Sequence, residues 1–329
     1  MTNFNLPIID LADSSKSNCA TLLEAASQHG FLLLKNHLLE ETEIDKLFEI
    51  SKQFFDQPTE IKNELPITTN NAGYVAPFVE DLQEDGTGEG DDKEAFNITH
   101  FNLSNFYPNQ PLPLIFQKNM PFISFTLRKY YVMLHMICRM LAIALDIRDN
   151  NGNPDHEYFV SAHALDLKTH STLRFVHYNA IDSIDSMGSI DSNETDKVLA
   201  GAHTDYGSMT FILQRPSLGL EVFDGEKWIE IKIPESDNLN EYLIVNISDV
   251  LSFWTDGYLK SILHRVRTKN ERYSVVFFCH PSDESILSPV NSKIVKNYNG
   301  NCYSLDKNGN PLTALEHLTM RLDDGYKRI

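Results

Sequence analysis

The chain has little cysteine: Cys19, Cys138, Cys279 and Cys302 are scattered across 329 residues. Their spacing fits no zinc site, and they are too few to staple a chain of this size, so buried or free thiols are expected. Positive charge is also scarce, with 28 Lys and Arg against 46 Asp and Glu and a formal net charge of −18. That balance argues against nucleic acid or an anionic membrane as the main partner. No run of about 18 apolar residues occurs, and residues 1–10 lack a basic n-region and a long apolar h-region. Neither a membrane span nor a signal peptide is indicated, which leaves the cytoplasm as the default location. Nothing in the sequence reports an oligomeric state.

What is present is a 42% hydrophobic composition, enough for a substantial core. Residues 1–329 read as a single catalytic unit with three stretches. In the first, 1–120, Leu6 to Leu11 is a short strand and Cys19 to His29 a helix ended by Gly30. Phe31 to Leu34 is an apolar strand, and a second amphipathic helix containing Ile44, Leu47, Phe48 and Phe55 exits at Pro58. Glu80 to Glu94, dominated by acidic residues and glycine, reads as a solvated loop. In the second, 121–280, the helical period from Pro121 to Asp146 predicts a long helix backing a sheet, with Met133, Met136 and Met140 as core filler. Ser171 to Phe175, Val198 to Ala202, Met209 to Leu213, Gly219 to Phe223, Trp228 to Ile231 and Tyr242 to Ile247 are short strands. Ala180 to Lys197, with Ile-Asp-Ser at 181, 184 and 190, reads as a mobile surface insertion. The third stretch, 281–329, is an irregular tail with a terminal helix over Leu312 to Leu322. Strands this dense, with flanking helices, imply a mainly β fold, a double-stranded β-helix or two-sheet jelly roll of the kind seen in cupins.

The chemistry concentrates between His203 and Ser274. In His203-Thr204-Asp205 the two ligand-type residues are two apart, so on an extended segment both side chains leave one face and one metal can take both. His264, in the strand-like run Ile262 to Val266, is the candidate third ligand. Two imidazoles and a carboxylate on one side of an ion leave the opposite positions open, the facial arrangement of non-haem Fe(II) oxygenases. Arg272 and Ser274 alternate along the strand Arg272 to Phe278 and share a face. A guanidinium beside a hydroxyl suits a carboxylate.

The order HxD, then a His eight residues before an Arg, then Arg-x-Ser, resembles the isopenicillin N synthase-like group of 2-oxoglutarate- and Fe(II)-dependent dioxygenases. The likeness extends to His29-Gly30-Phe31 and Asn36-His37 followed by Phe54-Phe55 and Pro58. It continues in Asp92-Lys93-Glu94-Ala95-Phe96, similar to the family's D-x-K-E-x-F. His177-Tyr178 stands where the family commonly has N-Y-Y-P, with Val176 and Asn179 replacing the family Asn and Pro. The resemblance implies Fe(II) held by the catalytic trio His203, Asp205 and His264. It implies 2-oxoglutarate as co-substrate, its distal carboxylate on Arg272, Ser274 and Tyr178, with dioxygen as oxidant and ascorbate as an accessory reductant. The implied reaction oxidises a small organic molecule, most commonly by hydroxylation, and releases succinate and CO2.

Two other functions share these residues. An oxidase like isopenicillin N synthase would draw all its electrons from the substrate and use Arg-x-Ser for a substrate carboxylate; a non-catalytic module would only bind a small molecule. His163, His170, His177 and His280 lack the ligand context and read as surface or hydrogen-bonded core residues, with His177, beside Tyr178, the main exception. Arg265 and Arg267 read as structural. Phe223 and Trp254 are equally suited to packing and to lining a pocket.

Overall fold

The computed structural model describes residues 6–82, 90–179, 196–234 and 240–325. β1 (Ile8–Asp10) leads to α1 (Lys16–Gln28), where the Ser15 hydroxyl accepts from the otherwise free Asn18 amide at 3.2 Å. Leu22, Ala25 and Ala26 form the buried stripe of α1. Gly30 then turns the chain at φ +63°, where a Cβ would stand 2.4 Å from the Lys260 carbonyl oxygen. β2 (Phe31–Lys35) follows, then α2 (Glu41–Phe55), opened by a capping box between Glu40 and Glu43, and α3 (Thr59–Lys62). Short strands come next: β3 (Gly73–Val75), β4 (Glu94–Ile98), β5 (Phe101–Asn102) and β6 (Tyr107–Pro108).

α4 (Leu114–Ala144) is the long helix behind the sheet, but it starts seven residues before Pro121. Phe116 and Met120 continue the buried stripe of Ile123, Leu127 and Leu134 backwards, and this burial outweighs the hydrogen bond that Pro121 cannot donate. Met133 and Met140 are buried, and Met136 packs against the same core.

Beyond α5 (Tyr158–Ala162) the chain is mostly strand: β7 (Thr172–Tyr178), β8 (Lys197–His203), β9 (Met209–Arg215), β10 (Leu220–Phe223), β11 (Trp228–Glu230) and β12 (Leu243–Ile247). α6 (Asp249–Trp254), β13 (His264–Thr268), β14 (Arg272–Cys279), α7 (Lys293–Tyr298) and α8 (Ala314–Gly325) complete it. The insertion carrying the Ile-Asp-Ser repeats lies outside the described residues.

The strands form an eight-stranded sheet, β1-β2-β12-β9-β14-β7-β4-β3, a four-stranded sheet, β11-β10-β13-β8, and a separate β5-β6 pair. This is the expected jelly roll with flanking helices. The alternation of β14 shows how it is built: Val275, Phe277 and Cys279 join the core under the helices, whereas Val276 joins the cluster between the sheets. Arg272 and Ser274, on the same parity as Val276, therefore face the inter-sheet space. Among the described residues no helix is long and apolar enough to cross a membrane. Cys19, Cys138 and Cys279 are buried free thiols and Cys302 is half-buried.

Candidate metal centre and its cavity

β8 ends at His203 and β13 begins at His264, and the antiparallel register sets these two residues opposite each other. Their rings lie 4.3 Å apart, centroid to centroid. Asp205 lies just past the end of β8, a departure from a fully extended HxD, and its carbonyl accepts the Asp249 amide at 2.9 Å. Asp205 Oδ1 is 3.6 Å from Nε2 of both imidazoles. One ligand-type atom from each of the three residues falls within 4.8 Å of the others.

The surrounding bonds fix which atoms face inward. His203 Nδ1 lies 2.8 Å from the Gly201 carbonyl and His264 Nδ1 lies 3.1 Å from that of Ile262. A carbonyl only accepts, so each Nδ1 carries the proton and each Nε2 turns a lone pair toward Asp205. Asn246 Nδ2 donates to Asp205 Oδ2 at 2.8 Å and leaves Oδ1 to the shared space. Burial, reinforced by the neighbouring His264, pulls His203 down to about 4, so its ring is neutral at physiological pH. Burial alone would raise Asp205, but the two imidazoles more than reverse this and hold it ionised. Two imidazole nitrogens and one carboxylate oxygen, closely spaced and oriented from behind, suit a divalent first-row metal with open positions.

Arg272 lies deeper between the sheets and is 1% exposed. Its Nη1 donates to Ser274 Oγ at 2.5 Å, its Nη2 to Gln214 Oε1 at 2.5 Å and its Nε to the Leu218 carbonyl at 3.1 Å. The guanidinium carbon stands 5.1 Å from the centre of the Tyr178 ring, so Tyr178, Arg272 and Ser274 meet in one place. Among the described residues no carboxylate is paired with Arg272. A buried cation without a counter-ion is costly, and the cavity wall here is therefore arranged for an anionic group. Gln214 Nε2, buried and without a partner among the described residues, adds an unused donor at the same spot.

The cavity has two lobes, of about 60 and 70 Å³, whose walls share Leu82, Arg174, His203, Asp205 and Phe278. The inner lobe holds His264, Arg272, Ser274 and Tyr178. The outer lobe is bounded by Tyr206, Leu318 and Leu322. Helix α8 closes that side: Arg321 lies over the Tyr206 ring at 4.4 Å and donates to Asp249 and to the Thr204 carbonyl and hydroxyl at 3.3–3.4 Å.

Several expectations need correction. The stretch from Glu80 to Glu94 is not uniformly solvated: Glu80, Asp91, Lys93 and Glu94 are all buried. Arg174 grips Glu80 through two hydrogen bonds of 3.0 and 2.6 Å, and Lys93 bridges Glu80 at 2.9 Å and Asp91. Burial raises Glu80, yet the charges of Arg174 and Lys93 hold it well below the usual carboxylate range. His177 is no part of the cavity. It points out of the sheet's other face between Phe55 and Tyr273 and bonds Glu94 and Glu271. Its parity on β7 is opposite to that of Tyr178, which neighbourhood in sequence conceals. Trp254 is a core residue stacked on Phe159, and Phe223 packs on Trp228. Arg265, by contrast, is structural as expected, bonded to Glu221 at 2.6 Å. Gln214, Asn246 and Arg174 escaped the sequence reading, although each is a polar residue beside apolar neighbours in its strand, and such residues need a partner when buried.

Comparison with known proteins agrees with this geometry. Residues 6–113 match the family model described as non-haem dioxygenase in morphine synthesis N-terminal, and residues 164–281 match that of the 2OG-Fe(II) oxygenase superfamily. A UPF0676 protein of Schizosaccharomyces pombe is 30% identical over 304 residues, covering 88% of this chain and 86% of the relative. The 2-oxoglutarate-dependent dioxygenase gloE of Glarea lozoyensis is 26% identical over 298 residues, covering 88% of this chain and 83% of the relative. Among solved structures, a Neurospora crassa protein in complex with alpha-KG and 5-formyluracil superposes with a TM-score of 0.74 at 23% identity, covering 98% of each chain.

Proposed function

Because the chain belongs to the 2OG-Fe(II) oxygenase superfamily and is a 2-oxoglutarate-dependent dioxygenase acting on a small molecule, we propose which of its residues carry that activity. His203, Asp205 and His264 hold the iron. Arg272, Ser274 and Tyr178 receive the distal carboxylate of 2-oxoglutarate in the inner lobe. The observation that carries this reading is the buried Arg272 guanidinium, which has no carboxylate partner among the described residues and shares a lobe with the His-Asp-His trio.

Bound together, Fe(II) and 2-oxoglutarate supply the reduction of dioxygen, coupled to release of succinate and CO2 and to oxidation of a substrate C–H bond, with hydroxylation the outcome we assign. The protein's part is positional and electrostatic. The Gly201 and Ile262 carbonyls fix the two imidazoles by their Nδ1 protons, and Asn246 fixes the carboxylate. Ser274 and Gln214 set the plane of the Arg272 guanidinium. Ala200, Ile212, Val266 and Val276 line the inner lobe with apolar surface, which limits water and strengthens the charge pairing there.

Asp205→Ala tests the reading. The variant should lose most of its iron affinity and nearly all 2-oxoglutarate-dependent succinate formation. Undiminished iron-dependent turnover would remove Asp205 from the site.

A further inference from the structure

The outer lobe contains a side chain that the reading above leaves unused. His280 follows β14 directly and continues its inner row: Arg272, Ser274, Val276, Phe278, then His280. On the neighbouring strand, Tyr178 is opposite Arg272, Val176 opposite Ser274, Arg174 opposite Val276 and Thr172 opposite Phe278. The two strands thus run from an anion-holding end in the inner lobe to a histidine end in the outer lobe, with His203 and Asp205 lining both lobes.

The backbone of His280 is fully engaged. Its amide donates to Ser171 Oγ at 3.0 Å, and its carbonyl accepts from Thr169 Oγ1 at 2.7 Å and Ser171 Oγ at 3.3 Å. Its ring is not. The residue is 5% exposed and its side chain lines the outer lobe, yet among the described residues nothing hydrogen-bonds either ring nitrogen. The Gly207 backbone packs close beside the ring, so that a Cβ added there would stand 3.2 Å from His280 Cδ2 and 2.2 Å from the Cys279 carbonyl oxygen. A buried, oriented imidazole facing open cavity with both nitrogens unspent is a hydrogen-bonding group awaiting a partner.

The charges around the lobe bear on what that partner is. Arg174 reaches it only while bound through two hydrogen bonds to Glu80, and Lys93 is shared between Glu80 and Asp91. Two cations are matched by two carboxylates. Burial draws His280 down to about 3, so it adds no charge. Leu82, Phe278, Leu318 and Leu322 supply the apolar wall, and Asn71, His170, Thr172 and Tyr206 add polar groups to it. An ionised occupant would give up its hydration without a free counter-charge in this lobe.

We propose that the outer lobe is the substrate pocket, that it takes an uncharged molecule bearing an amide, carbonyl or hydroxyl group beside an apolar body, and that the His280 imidazole hydrogen-bonds that group. The proposal rests on the assignment of the inner lobe to metal and 2-oxoglutarate. It makes His280 a specificity-determining residue, with the oxidised carbon held between it and the trio.

The test uses the whole protein loaded anaerobically with Mn(II) and saturating 2-oxoglutarate, probed with benzamide, benzoate and benzylammonium, which share a shape and differ in charge. Paramagnetic broadening of probe proton resonances reports binding near the metal. Benzamide should broaden, and the two ions should bind roughly tenfold more weakly or worse; His280→Phe should weaken benzamide by roughly tenfold, the scale of one hydrogen bond. His280→Gln, which keeps a donor and an acceptor, should restore most of that loss, whereas a merely structural effect would not be rescued. Equal or tighter binding of either ion, no metal-dependent broadening of benzamide, or an unaltered His280→Phe variant overturns the proposal. If wild-type protein fails to bind Mn(II) or 2-oxoglutarate, the inner-lobe assignment falls and this inference with it. If both bind normally and the probes disagree, only this inference falls.

Discussion

Replacing Arg272 by Met separates the anion-binding role of this side chain from a structural one. Met keeps much of the volume and removes the charge. In the wild type the guanidinium is 1% exposed and makes three hydrogen bonds, to Ser274, Gln214 and the Leu218 carbonyl, none to a carboxylate among the described residues. For 2-oxoglutarate binding, loss of a buried charged partner costs about 2–5 kcal/mol, a weakening of roughly thirtyfold to a few thousandfold. Folding stability should move much less, because two effects oppose each other. Removing an unmatched buried cation relieves its desolvation, while the Gln214 and Ser274 oxygens lose a donor at about 1–3 kcal/mol each. The expected result is a nearly unchanged urea midpoint beside a collapse in co-substrate affinity. Anaerobic titration of the Fe(II) protein with 2-oxoglutarate, followed by the weak visible charge-transfer absorption of the chelate, reads the affinity directly. An Arg272→Met protein that binds 2-oxoglutarate within about threefold of wild type would refute the reasoning, since a contact worth less than about 1 kcal/mol is no carboxylate anchor.

Asn246→Ala should lower iron affinity by about 10–100-fold without unfolding the protein, because Asn246 only orients Asp205 Oδ2; competitive metal titration measures this. Glu80→Gln should cost about 3–5 kcal/mol at neutral pH, because Arg174 and Lys93 both lose their shared carboxylate. The Glu80 carboxyl is held below its ordinary value in the folded protein, so its contribution is present above about pH 4.3 and fades as the pH falls below that. Urea midpoints of wild type and variant should therefore converge on acidification, and a gap that stays constant would contradict the pairing.

The sequence made the strands and the trio legible for different reasons. β-strand alternation survives in a single chain, so β9, β10, β11 and β12 could be placed within a residue or two at either end. HxD, the later His and Arg-x-Ser stand out because few other arrangements need those residue types in that order. Pairings across long separations were not legible. Glu80 and Arg174 lie 94 positions apart, and without that pairing an acidic stretch reads as solvated. His280 looked like an ordinary loop histidine because its meaning depends on continuing the inner parity of β14 for one step past the strand's end. His177 misled for the converse reason, since a neighbour in sequence on a strand faces the opposite side. The start of α4 was hidden by Pro121, a local breaker overridden by the burial of Phe116 and Met120.

Diffraction at the iron edge from anaerobically grown crystals of the protein with Fe(II) and 2-oxoglutarate tests the central claim most directly. The account predicts a single anomalous peak within bonding distance of His203 Nε2, Asp205 Oδ1 and His264 Nε2, with the co-substrate running inward to Arg272 and Ser274. A peak held by other side chains, or a co-substrate whose distal carboxylate lies away from Arg272, would contradict it.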